Sequence, residues 1–222
     1  MDPIELSSTA HSSTAEALLD AATTVLDEEG VRAVTARRLG REIGASSMAV
    51  YTHFGSMDDL MAAIWRRGFA RFGSSLQTST TADPVADWMV QGWAYRRFAL
   101  ENPHLYRVMF SEGLLASTTG TTADRLAARA TFVALLDRIQ RCADAGRWQV
   151  DDVRLAGEQV WMCTHGHCSI EITGYFAAVD RDPERLFDEE VRRLALGFGD
   201  EPERVEASRT AARRRVRRAG RS

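Results

Sequence analysis

The 222-residue chain is 45% hydrophobic and 27% charged, a globular balance that excludes wholesale disorder. Three cysteines cannot close a disulfide framework, and there is neither an 18-residue uncharged apolar run nor a basic-then-apolar leader, so a soluble protein of the reducing cytoplasm, without membrane contact, is expected. The net charge of −3 conceals segregation: residues 1–31 hold seven acids and no base, 32–72 seven Arg against three acids, and 204–222 eight Arg against Glu206, so attraction for phosphates is local.

Apolar residues recur at three and four along most of the chain, which predicts an all-α protein of about nine helices. Residues 1–12, rich in Ser and Thr, read as a mobile arm. The first helix is expected to open at Ser13, boxed with Glu16, and to carry Leu18, Leu19, Ala22, Val25 and Leu26 as far as Gly30. Thr35 caps a short second helix with Leu39 and Ile43, Gly44-Ala45 turns the chain, and Ser46 caps a third helix holding Val50, Tyr51 and Phe54. Ser56 with Asp59 then starts a long fourth helix through Leu60, Ile64, Trp65 and Phe69. After the polar stretch 73–81, Asp83-Pro84 and Asn102-Pro103 each open a helix. A loop at 111–122 and helices near 123–145, 152–173 and 183–198 follow, and the Arg-rich end from Arg204 reads as a frayed, solvated tail, with contact to DNA the sharper alternative.

The spacing of Gly40, Gly44 and Val50 suits a helix-turn-helix. Gly40 lets a second helix cross closely, Gly44 takes a left-handed turn, and Val50 fills the angle between the helices beside Leu39 and Ile43.

In these residues the chain resembles the TetR family of bacterial transcriptional regulators. The likeness runs through Val34-Thr35-Ala36-Arg37-Arg38-Leu39-Gly40, Ile43-Gly44-Ala45-Ser46, Val50-Tyr51-Thr52-His53-Phe54 and Ser56-Met57-Asp58-Asp59-Leu60, covering about residues 13–70. A second match, Asn102-Pro103-His104-Leu105-Tyr106-Arg107 with Trp161 and His165-Gly166, resembles a subgroup named for a Trp-His-Gly motif. The resemblance implies an N-terminal three-helix DNA-binding domain at 13–56, its helix-turn-helix at 35–54, and a helical ligand-binding and dimerisation domain at 57–203, followed by the tail 204–222. It implies further that Ser46, Ser47, Met48, Ala49 and Thr52 face the major groove while Thr35, Arg38, Tyr51 and His53 hold phosphates. Met48 and Ala49 can touch thymine methyls but cannot read guanine or adenine by paired hydrogen bonds; Arg37 is the candidate for that. Met57, where relatives usually carry Lys, and the acidic arm remove phosphate contacts.

The rings of Trp88, Trp93, Tyr106, Phe110 and Trp161 suit either plain core or a cavity for a small apolar effector, with His165 as its polar anchor, and displacement of the fourth helix by that effector is the expected switch. Phe187, Val191, Leu194 and Phe198 recur at four, three and four, a seam suited to a two-fold partner, so a homodimer on a palindromic double-stranded operator is expected. Cys163, His165, His167 and Cys168 have a metal-like composition, and the alternative reading is a metal- or thiol-responsive sensor, although on one helix the four fall on two faces. No G-x-S-x-G, phosphate-cradling glycine loop or H-E-x-x-H occurs, so neither an enzyme nor a cofactor is expected.

Overall fold

The computed structural model describes residues 3–110 and 122–220; the expected loop falls, apart from Thr122, outside them. Eleven α-helices and no strand occur among the described residues. They are α1 (Pro3–Glu29), α2 (Ala36–Glu42), α3 (Met48–Phe54), α4 (Met57–Ser75), α5 (Pro84–Glu101), α6 (Pro103–Phe110), α7 (Thr122–Asp144), α8 (Val153–Ile172), α9 (Tyr175–Ala178), α10 (Pro183–Gly197) and α11 (Pro202–Ala219), with a single 3-10 turn at Val31–Ala33. The all-α expectation holds. Helix α1 starts ten residues ahead of Ser13, at Pro3, a residue type suited to the first turn of a helix.

Two compact units form, one from Met1–Arg71 with Asn102–Ala127 and the other from Phe72–Glu101 with Ala128–Ser222. In the first, Leu18, Ala22 and Leu26 of α1 bury with Leu39, Val50, Leu60 and Ile64. Helix α6 joins this core, since the indole of Trp65 donates to the Met109 carbonyl at 3.0 Å and a side chain at Gly68 would strike Met109 and Leu105. Arg67 ties α4 to Glu16 and Asp20 of α1. As expected, Asp59 N donates to Ser56 Oγ at 3.0 Å, and that hydroxyl donates back to the Asp59 carboxylate, closing the start of α4.

Helix α5 is the axis of the second unit, packed by α8, α10 and along much of its length by α11. Trp88 meets Trp148 edge-on at 4.9 Å, Trp148 meets Phe198 at 4.8 Å, and Trp93 meets Phe187 at 4.9 Å.

The C-terminal arginines are not a frayed tail. Helix α11 buries Val205, Ser208 and Ala212, and the guanidiniums of Arg209, Arg213 and Arg215 go to acids inside the unit. Arg209 and Arg213 grip Asp188, while Arg215 reaches Asp87 at 2.6 Å. Arg147 spans Asp200 at 2.7 Å, Ser208 at 3.1 Å and Asp83 at 3.3 Å, clamping the start of α11 to that of α5. A run of like charges folds here because each end of the helix meets buried carboxylates that would be costly unpaired.

Asp87 has no exposed surface. Burial alone would raise its pKa, but the Thr81 amide, Arg215, the Thr81 hydroxyl and Arg141 together hold it below the ordinary carboxylate value. Its folded pKa thus lies under the unfolded value of about 3.9, so its contribution is complete above that pH and fades as pH falls through the folded value. Asp87→Asn, which leaves the surrounding arginines without their anion, is expected to lower unfolding free energy at pH 7 by about 3–5 kcal/mol in urea titration, with the deficit shrinking toward pH 3.

Candidate nucleic-acid interface

The helix-turn-helix is built as its spacing predicts. Thr35, extended at φ −129°, accepts the Arg38 amide on its hydroxyl at 3.3 Å and starts α2. Gly40 is buried against the following turn: a Cβ there would stand 2.8 Å from the Ala45 carbonyl oxygen and 3.0 Å from Ser46 backbone atoms. Gly44 has φ +67°, in the left-handed region. The Ala45 amide then donates to the Gly40 carbonyl at 2.8 Å, locking the turn.

Ser46 does not cap the next helix. Its backbone carbonyl accepts the Ala49 amide at 3.0 Å, and Ser47 occupies the cap position in a helical conformation with no side-chain capping bond. Ser47, at φ −60° and ψ −22°, is coiled where a capping residue is ordinarily extended, so its hydroxyl does not reach back to the helix amides.

From this turn α3 projects an exposed strip of Ser46, Ser47, Met48, Tyr51 and Thr52, with Met48 at 61% and Tyr51 at 44% of full exposure and Val50 buried beneath. Ala49 and His53 are half-buried at its edge. The Thr52 hydroxyl donates to the Met48 carbonyl at 3.0 Å, which leaves its lone pairs outward as acceptors. Arg37 is exposed on α2 and makes no ion pair among the described residues. Arg38 is engaged by Glu29 at 2.7 Å and Glu42 at 3.3 Å. Sequence reasoning missed both carboxylates: Glu42 was readable at i+4, but Glu29 belongs to α1 and no local pattern points to it.

The aromatic residues proposed for a ligand do not gather in one cluster within either unit. Tyr106 and Phe110 lie in the first, ring to ring at 4.8 Å, with Phe69 at 5.6 Å from Phe110. Trp88 and Trp93 are committed to the second unit's core. Trp161 stacks on His165 at 5.4 Å and 24°, and the imidazole Nδ1 lies 3.4 Å from the Tyr95 hydroxyl, with Nε2 3.5 Å from Ser169 Oγ. Burial pushes the His165 pKa down, so the ring is neutral at pH 7. Nothing in the sequence pairs Tyr95 with His165, 70 positions away.

The cysteine–histidine segment diverges. Cys163 is exposed and Cys168 buried, while His167 Nδ1 lies 3.1 Å from Glu190 and its ring packs on Phe176 and Phe187. No group of three His, Cys, Asp or Glu side chains among the described residues is arranged for a metal. Burial raises the thiols of Cys142 and Cys168 to about 12, so both are protonated and poor nucleophiles.

The expected dimer seam is spent inside the chain. Phe187 is fully buried and Val191 nearly so, and Leu194 and Phe198 pack on the same core. Their four-three-four spacing records the face α10 turns inward. In the second unit the outward large apolar residues among those described are Val133 of α7, Leu155, Met162 and Ile170 of α8, Tyr175 of α9, Val179 and Leu186. No helix among the described residues is long and apolar enough to cross a membrane.

Comparison with known proteins bears on both units. Residues 18–64 match the family described as bacterial regulatory proteins, tetR family, and residues 88–194 match the tetracyclin repressor-like C-terminal domain. An uncharacterised HTH-type transcriptional regulator of Mycobacterium tuberculosis, Rv0681, is 26% identical over 184 residues, which are 82% of this chain and 80% of that protein. A protein of unknown function from Rhodococcus sp. RHA1 superposes with a TM-score of 0.75 at 20% identity, over 84% of this chain and 96% of its own. The regulator RolR in complex with resorcinol superposes with a TM-score of 0.60 at 17% identity, over 91% and 95%.

The turn geometry yields a direct test. Gly40→Val drives a branched carbon into the Ala45 carbonyl and is expected to cost about 1–3 kcal/mol in urea unfolding, whereas Gly73→Ala, where the new methyl meets only the Thr131 methyl at 3.7 Å, leaves stability unchanged or slightly higher.

Proposed function

Because the chain belongs to the TetR family and is therefore a DNA-binding transcriptional regulator of the repressor class, we propose that it acts as a homodimer on a palindromic operator and is released by a small aromatic effector. The observation that carries the DNA half of this reading is the exposed strip from Ser46 to Thr52, held rigid by the Gly40 turn. Ser46, Ser47, Met48 and Ala49 are assigned to base edges and thymine methyls, and Thr35, Tyr51 and His53 to phosphates. Arg38 contributes to phosphate binding by exchanging Glu29 for a phosphate oxygen, an inexpensive exchange because exposed ion pairs are worth about 0–1 kcal/mol.

The partner surface is assigned to the outward stripe of Leu155, Met162 and Ile170 rather than to the buried seam. These residues fall seven and eight apart on α8, so they line one face of the helix, and a second copy would cover it about a two-fold axis.

For the effector, support comes from the stacked Trp161–His165 pair and the Tyr95 hydroxyl, and from the binding of resorcinol by the structurally similar RolR. A flat ring carrying a hydroxyl would stack on Trp161 and hydrogen-bond to the neutral His165 imidazole. It acts on transcription only by favouring the form that does not hold DNA.

Gel shifts on the DNA upstream of the protein's own gene, with fragment selection from genomic DNA, test the reading as a whole. Tyr51→Phe is expected to weaken specific and random DNA alike, about 3–10-fold, while Met48→Ala changes the ranking of operator variants and leaves random DNA within about twofold. Comparable losses from both would sink the division of roles. Met162→Arg is expected to convert a dimer to monomer in sedimentation at micromolar concentration. His165→Ala should abolish release by effector with operator affinity kept within a few-fold.

A further inference from the structure

The segment 77–83 between α4 and α5 is held by three guanidiniums. Arg138 donates to the Thr78 carbonyl at 2.7 Å, to the Thr78 hydroxyl at 3.1 Å and to the Thr80 hydroxyl at 3.2 Å. Arg141 donates to the Thr81 carbonyl at 3.0 Å, and Arg215 to the Ser79 carbonyl and hydroxyl at 2.7 and 3.1 Å. The same three converge on Asp87, at 3.6, 3.1 and 2.6 Å.

Three guanidiniums against one carboxylate leave two positive charges over. The next acid in the segment, Asp83, is taken by Arg147. The imbalance is buried at its centre, where Asp87 has no exposed surface and the Arg138 side chain is 10% exposed, while Arg215 at 22% and Arg141 at 35% turn the excess charge toward the surface, where an anion can reach it. Arg138 feels it: burial lowers its pKa, and repulsion from Arg141 and Arg215 opposes the pull of Asp87. The hydroxyl-bearing residues over this charge, Ser79, Thr80 and Thr81, are exposed.

We propose that the Arg138–Arg141–Arg215 cluster is a phosphate site, where a dianion seated at Ser79 and Thr80 supplies the two missing negative charges. Guanidinium forks match tetrahedral phosphate oxygens, and Arg is the side chain best suited to hold them when partly desolvated. The same group can arrive from two sources. One is free phosphate or a phosphate monoester; the other is a phosphoryl group on Ser79. In the second case a protein kinase delivers the γ-phosphoryl of a nucleoside triphosphate: the Ser79 Oγ–P bond forms, the bond to the departing nucleoside diphosphate breaks, and the hydroxyl proton passes to the kinase's base. Either way the segment becomes fastened to α7 and α11 by charge-assisted bonds instead of neutral ones.

Thermal unfolding of the full chain in about 50 mM sodium phosphate, against sodium chloride of equal ionic strength, tests the site. A saturable rise in Tm of about 3 °C or more is expected for the unmodified chain. Arg141→Gln, which removes the most exposed of the three guanidiniums, should lose that rise. Should Arg141→Gln fold poorly, Ser79→Glu serves instead, because its carboxylate should raise Tm above that of Ser79→Ala and blunt the response to phosphate. Mass spectrometry of the chain from its own cells separates the sources: an added 80 Da (approximately) on the peptide spanning 78–81 marks the attached group, and an unmodified peptide with a saturable phosphate response marks the free anion. An equal Tm gain in Arg141→Gln is the general effect of an excluded anion and overturns the proposal. So does the absence of any gain together with equal stability of Ser79→Glu and Ser79→Ala.

Discussion

A backbone-to-backbone approach at Gly40 governs the whole DNA-binding unit. Because nothing but hydrogen fits between that Cα and the Ala45 carbonyl, the end of α2 and the start of α3 meet at the distance of a hydrogen bond, Ala45 N to Gly40 O. The angle of α3 is therefore fixed by the main chain and not by the rotamers of long side chains. Val50 and Leu39 fill the remaining wedge with no exposed surface. What α3 offers to DNA is then preorganised, and ordering it on binding costs little conformational entropy. The glycine in the middle of a helix carries a propensity cost of about 1 kcal/mol, offset by contacts a larger residue could make only with displacement.

The second unit solves a different problem, that of burying charge. Every basic residue of the chain is Arg, and at Asp87, Asp188 and Asp200 the planar fork is used in a way an ammonium could not match. One guanidinium satisfies a carboxylate with one edge and a loop carbonyl or hydroxyl with the other, as Arg215 does between Asp87 and Ser79. Helix α11 is thereby joined to α5 at both ends, with the apolar contacts of Val205 and Ala212 between.

Most features set by neighbours in sequence were legible, the start of α1 and the cap of α3 being exceptions. The caps at Thr35, Ser56 and Asp83, the prolines opening α5 and α6, and the left-handed Gly44 all act within four residues, so composition and spacing suffice to find them. Features set by distant partners were not. Arg215 reads as tail until Asp87, 128 positions away, is beside it. Phe187 to Phe198 shows which face of α10 is apolar, but periodicity alone cannot say whether that face meets the same chain or another. Likewise the aromatic residues of the second half are countable from sequence, while their division between two units depends on α6 joining the first.

Helix α8 presents three different faces. One face carries Ala156, Val160, Thr164 and Cys168 into the core, another bears the stacked Trp161 and His165, and a third shows Leu155, Met162 and Ile170 outward. At 3.6 residues per turn the core face and the stacked pair leave one stripe, with Leu155, Met162 and Ile170, where a substitution meets water. A change on the core face or at the stacked pair disturbs a neighbour already in place, whereas one on the exposed stripe leaves the packing of the chain alone. For anyone redesigning this protein, the exposed stripe of α8 is the part to vary and its core face the part to keep constant.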